Sequence, residues 1–156
     1  MPSPMVLVGQ QSTAASVTDT NLEIAAGTAA LLGITRLRFS QSTHKTSEQY
    51  AVKCQRITTT GTGTATTPLI TEPNTAALGA ARIGACKIND SVEPTYTAST
   101  LLLDASVNSL TGRDVIYPPG SELWVAPAAV VGVAVITPAG TTTATYQCES
   151  AFFALG

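Results

Sequence analysis

The chain is expected to be all-β: a single antiparallel β-sandwich of jelly-roll form, with about eight strands and an extended N-terminal arm. Three observations predict it. Apolar and polar residues alternate with a period of two in several stretches, as strands buried on one face require. A run from Val130 to Ile136 is almost wholly β-branched, which suits a strand covered on both faces. Gly, Pro and Thr clusters divide these stretches at the spacing of sandwich turns. At 156 residues the chain has enough apolar surface for one such core. The expected division is an arm over residues 1–20 and a sandwich over residues 21–156.

In the first twenty residues Pro2 and Pro4 disfavour helix. The apolar patch from Met5 to Val8, with Val6 and Leu7 between, therefore belongs to an extended arm or an edge strand, and is expected to bind a neighbouring subunit. Leu22, Glu23 and Ile24 alternate. In Leu31 to Ser40, Ile34 and, after one shift of register, Leu37 and Phe39 point inward, while Arg36 and Arg38 form a small basic stripe outside. That stripe is either solvated or a docking edge for an acidic neighbour. Tyr50 to Thr58 alternates again. Thr58 to Thr67 is Thr-rich and low in complexity. Its Gly61 and Gly63 have no following helix and no lysine placed for phosphate, so a flexible loop or hairpin tip is expected rather than a nucleotide site.

Thr75 to Ala85 has the chain's best helix propensity, enough for a turn or two. Cys86 to Tyr96 reads as irregular around Pro94, Ser99 to Val107 as a strand, and Asn108 to Gly112 as a turn. The organising stretch is Val115 to Thr137, expected to hold two buried strands joined tightly. Leu123 and Val125 face one way and Glu122 and Trp124 the other; Pro127 breaks the chain before the β-branched run. Thr141 to Phe153 closes the sheet, with Ala144, Tyr146 and Cys148 on one side.

Composition excludes several functions. Charged residues are only 12% of the chain, against about 25% in soluble domains generally. Either much of the surface meets other protein, or this is a weakly charged Thr-rich sandwich of a secreted or virion-borne kind. Eight scattered basic residues and a formal net charge of −2 argue against a nucleic-acid partner. No apolar run is long enough to cross a membrane as a helix, and Met1 to Gln10 lacks the charged and apolar regions of a signal peptide, so no membrane partner and assembly from a cytoplasm are expected.

Chemistry is equally sparse. Cys54, Cys86 and Cys148 form no CxxC pair. They are expected as buried small residues, a Cys54–Cys148 bridge being the alternative if both lie on neighbouring strands. His44 stands alone. Asp90 and Glu93, flanked by Asn89 and Ser91, are expected in a surface loop; the alternative, a calcium site completed by loop carbonyls, lacks the EF-hand spacing. Trp124 and Tyr96 are either a sugar-stacking platform or core and interface anchors. With no nucleophile–base pair, carboxylate pair or metal set in a motif, no enzyme activity, metal or cofactor is expected.

The residues Leu37, Phe39, Gln41 and Thr43, the run TTTGTGTATTP from Thr58 to Pro68, and PPGSELWV from Pro118 to Val125 followed by VGVAV resemble the small auxiliary virion proteins of tailed bacteriophages. These are jelly-roll or sandwich proteins that decorate or cement capsids. The resemblance spans most of residues 20–156 and carries no site motif. It implies a homotrimer on a capsid surface whose partners are copies of itself and the major capsid protein. The expected interface residues are Met5, Val6, Leu7, Tyr117 and Trp124, with Arg36 and Arg38 at the capsid-facing rim. The alternative is a carbohydrate- or receptor-binding module of a phage head or tail fibre.

Overall fold

The computed structural model describes residues 4–14, 17–42, 47–70, 83–137 and 143–155. Among them are twelve strands and no helix: β1 (Pro4–Thr13), β2 (Thr18–Ala25), β3 (Leu31–Gln41), β4 (Gln49–Thr59), β5 (Thr62–Ala65), β6 (Leu69–Ile70), β7 (Lys87–Val92), β8 (Thr95–Asn108), β9 (Arg113–Ile116), β10 (Leu123–Val125), β11 (Val130–Ile136) and β12 (Ala144–Leu155). They form two antiparallel sheets packed as a sandwich. The first runs β10-β3-β12-β1-β6, with β9 also paired to β3; the second runs β5-β7-β2-β11-β4-β8. The strand number exceeds the expected eight chiefly because β5, β6 and β9 are only two to four residues long. Strands that short, in Thr-, Gly- and Pro-rich stretches, carry too few residues to display a period.

The core lies between the sheets. The first contributes Met5, Leu7, Ile34, Leu37, Phe39, Tyr146 and Phe152, the second Leu22, Ile24, Tyr50, Val52, Val131 and Val133, all buried. Tyr50 and Tyr146 meet edge to face across it, with ring centroids 4.7 Å apart. Strands that alternate in sequence alternate in burial: every second residue of β12 from Ala144 to Ala154 is buried. β11, flanked in its sheet by β2 and β4, is buried on both faces, as its β-branched run requires: Val131 and Val133 face the core, and the Tyr96 and Ile57 side chains lie over Gly132 on the other side.

Two bulges set which side chains face where. In β3 the pairing with β12 steps from Ile34↔Phe152 to Arg36↔Ala151 and leaves Thr35 as the extra residue. Its hydroxyl donates to the Ala151 carbonyl at 3.1 Å. This is the register shift that brings Ile34, Leu37 and Phe39 all inward. In β2 the pairing with β11 steps from Leu22↔Val133 to Thr20↔Ala134. The extra residue, Asn21, reaches the first sheet, where its Nδ2 donates to the Tyr146 carbonyl at 3.2 Å.

Several expectations are corrected. The Val115–Thr137 stretch holds the two tightly joined strands expected, but the first is not fully buried and they belong to different sheets: β10 joins β3 in the first sheet and β11 joins β2 and β4 in the second. The link between them crosses the sandwich through Pro127 and Ala128, the latter at φ 60° and tied through its N–H to the Gly27 carbonyl. Residues 4–13 are not a free arm but a strand zipped to β12 over its whole length. The segment after Cys86 is regular, forming β7 and the start of β8. The Thr-rich stretch is the end of β4 followed by β5. The Asn108–Gly112 turn is as expected, with Gly112 at φ 64°. The cysteines are free and buried; Cys54 and Cys148 belong to opposite sheets, so the Cys54–Cys148 bridge is not formed. His44 and the helix-prone residues 75–82 lie outside the described residues.

Candidate functional site

Cross-strand neighbours share a face, so the register of the first sheet assembles its outer surface row by row. One row runs Trp124–Gly33–Phe153 across β10, β3 and β12. The next runs Ile116–Arg36–Ala151–Val6, and the third Asp114–Arg38–Glu149–Val8. Leu31 and Leu155 flank the first row. The face is apolar at one end and charged at the other. Ile116, Leu155, Val8 and Trp124 are large apolar side chains left exposed on it.

Gly33 is the reason the aromatic row can form. Trp124 and Phe153 lean over it edge to face at 5.8 Å, and a Cβ there would press on both rings. At the charged end Arg36 grips Asp114 with two nitrogens, Nε at 2.8 Å and Nη2 at 2.5 Å. The pair fastens the short β9 to β3 and holds the Asp114 carboxyl below its usual range, first through the hydrogen bond from Arg36. Beside it lies a groove of about 320 Å³ lined by Arg36, Arg38, Arg113, Asp114 and the Thr111–Gly112 turn.

The expected interface residues are thereby sorted. Val6, Arg36, Arg38 and Trp124, remote in sequence, share this one face. Met5 and Leu7 point the other way, into the core, where they are covered by their own chain; alternation along β1 leaves only Val6 and Val8 outside. Tyr117 packs partly against the core, its N–H bonded to the Thr35 carbonyl at 2.8 Å, and burial pushes its hydroxyl up to about 12. Arg36, expected to meet an acidic neighbour, already meets Asp114 of its own chain. Trp124 and Tyr96 lie on different sheets, so they make no common stacking platform. Phe153 and Gly33 are the members that sequence reasoning missed; the signal was only the alternation in β12 that puts Phe153 opposite Phe152.

The outer face of the second sheet holds a different cluster. Glu23, fully buried, accepts from the Gly61 N–H at 2.6 Å and lies 3.6 Å from Lys87 Nζ. Lys87 in turn donates to the Gly61 carbonyl at 2.6 Å. Asp90, 1% exposed, stands beside Glu23. Burial first, then the Glu23 carboxylate, push its carboxyl up to about 7. Glu93 accepts from the N–H and hydroxyl of Thr20, and the Thr20 hydroxyl also bonds the Tyr96 hydroxyl. Tyr96 covers Gly132 at the centre of the sheet. The surface loop expected for Asp90 and Glu93 is corrected in part: Asp90 is buried within β7, and only Glu93 lies in the turn that follows. Among the described residues no group of three or more His, Cys, Asp or Glu is arranged to hold a metal. The chain matches no known protein family, no characterised protein and no solved structure.

Proposed function

We propose that the protein is a structural virion component that acts as a homotrimer and uses the outer face of its first sheet to dock on an assembled bacteriophage capsid lattice, stabilising it without catalysis. The observation that carries this reading is one sheet face with the exposed Trp124 and Leu155 and the half-buried Phe153 at one end and an arginine-lined groove at the other. Aromatic and arginine side chains presented on one face are the kind of anchors on which protein interfaces concentrate their energy. The low charge of the chain and its likeness to decoration proteins support the same reading. Each docking patch alone is small. A trimer presents it three times, and once one patch is engaged the others act at high effective concentration. A protein that binds the assembled shell and not its free subunits stabilises the shell by mass action.

The test is sedimentation and native mass spectrometry of the pure protein, followed by thermal challenge of shells with and without it. Trimers that raise the temperature at which shells rupture are expected, and Trp124→Ala abolishes the gain. A monomer that leaves shell rupture unchanged rejects the reading.

A further inference from the structure

Gly61 and Gly63, which look in sequence like a fragment of a phosphate loop, have a different task. A Cβ on Gly63 would overlap Asp90 Oδ1, and one on Gly61 would press on Asp90 Oδ2. The two glycines thus leave room for a carboxyl group beneath the edge strand β5. Asp90 is 1% exposed and Glu23 0%. Both Asp90 oxygens and Glu23 Oε2 have no hydrogen-bond donor among the described residues. Two buried carboxylates cannot bond to each other unless one holds a proton, and leaving both charged in this position is costly. One proton satisfies both: with it and the Lys87 ammonium, the two carboxylates are neutralised.

We propose that Glu23 and Asp90 share one proton across the β2–β7 pair, and that this proton is a latch holding the edge strand β5 on its sheet. β5 is a four-residue edge strand, tied beyond its ladder by the Ser91 hydroxyl, which donates to the Thr62 carbonyl at 3.0 Å, and by the Thr66 N–H, which donates to the Cys86 carbonyl at 3.0 Å. It pairs with β7 only through Thr62↔Val92, Thr64↔Ile88 and Ala65↔Lys87, with an irregularity at Gly63, and Glu23 and Lys87 clasp Gly61 just before it. When the proton leaves, Asp90 needs water, and β5 is what lies in the way.

The surrounding groups act in the same sense. Glu93, in the β7–β8 turn, raises Asp90 further, and Lys87 opposes. Tyr96 on β8 is raised chiefly by burial, with Glu93, Asp90 and Glu23 adding; Asp19 on β2 acts on Glu93, and the Cys86 thiol feels Glu23. β1 supplies only Gln11, whose Nε2 donates to the Asp90 carbonyl at 2.9 Å. β5 itself, Thr62 to Ala65, has no titratable side chain. The sign follows: Asp90 binds its proton more tightly in the closed state than when solvated. The latch is therefore fully engaged below the ordinary carboxylate range and is lost as pH rises towards neutrality.

The experiment is amide hydrogen exchange of Gly61 to Ala65, corrected for intrinsic rates, from about pH 5 to about pH 8, with carboxyl-carbon NMR titration of Asp90 and Glu23 alongside. Protection of β5 is expected to fall by roughly tenfold per pH unit until the proton is gone, since one proton is released per opening, while β11 amides stay constant. Asp90→Asn, whose amide supplies a permanent donor to Glu23, keeps β5 protected throughout. Protection that is flat with pH in the wild type, or that falls equally in Asp90→Asn, overturns the latch. Should the variant not fold, the wild-type titration decides: both carboxyls titrating in the ordinary range refutes the shared proton, and a midpoint that moves on adding calcium refutes it in favour of a cation.

Discussion

The outer faces of the two sheets are built on the same device and put it to opposite use. Each has a glycine at its centre with aromatic rings laid over it: Gly33 under Trp124 and Phe153 on the first sheet, Gly132 under Tyr96 on the second. On the first sheet the described residues leave Phe153 half-buried and Trp124 36% exposed. On the second, Tyr96 is tied to Thr20, Thr20 to Glu93, and the β4–β5 segment to Glu23. One face is tied down by hydrogen bonds within the molecule; the other leaves a ring open to solvent. A hydrogen-bonded lid fixes a ring in place, whereas an unbonded ring is free to adjust to whatever arrives.

Substitutions should separate the two faces. The largest effect on folding is expected from Gly132→Ala, because the new Cβ meets the Tyr96 ring at 2.8 Å and Ile57 at 2.9 Å and the tethered ring cannot swing away; overpacking of this kind costs about 1–3 kcal/mol, read from urea unfolding midpoints. Trp124→Ala should barely move that midpoint yet weaken docking by about 2 kcal/mol, roughly thirtyfold in dissociation constant, if the first sheet is the interface. Equal losses in folding and docking would erase the distinction drawn between the faces. Thr20→Val removes the hydroxyl that links Glu93 to Tyr96 and should cost about 1 kcal/mol, with a matching rise in exchange at the start of β8.

Gly33→Ala is the direct counterpart of Gly132→Ala. Its Cβ meets only ring ends, Phe153 Cζ at 2.7 Å and Trp124 Cζ3 at 3.0 Å, on side chains with open solvent to move into, so a change within about 0.5 kcal/mol is expected. A cost as large as that of Gly132→Ala would mean that the first face is as rigid as the second. The smallest effect belongs to Arg36→Ala. The pair with Asp114 is solvent-exposed, so the unfolding midpoint should hold while β9 amides alone exchange faster, the difference shrinking as salt is added.

How far these faces were legible in the sequence depends on whether the information is local. The inward set of β12, the β-branched run of β11 and even the one-residue shift in β3 were readable, because burial writes a period of two into each strand by itself. The crossing of β10 to the sheet opposite β11 was not, since the residues flanking Pro127 say nothing about which distant strand each leg will meet. Glu23 was hidden for a related reason. Between Leu22 and Ile24 it reads as the solvated side of an alternating strand, and only the segment before β5, sixty positions into the chain, buries it. The glycines of that segment were visible, but their cause, the Asp90 carboxyl, lies in a stretch that reads as irregular. Val6, Arg36, Arg38 and Trp124 could be singled out one at a time; that a single surface gathers them, while Met5 and Leu7 turn away, follows from pairing register alone.

The three sealed thiols bring a practical consequence. Cys54, Cys86 and Cys148 are free and buried, and burial raises all three above the ordinary thiol range. Passing from a reducing to an oxidising compartment therefore offers them no partner and little thiolate, so the molecule crosses such a boundary without crosslinking. Alkylating reagents reach Cys54 and Cys148 only when the sheets separate, which makes their labelling rate an intrinsic clock for opening of the whole domain.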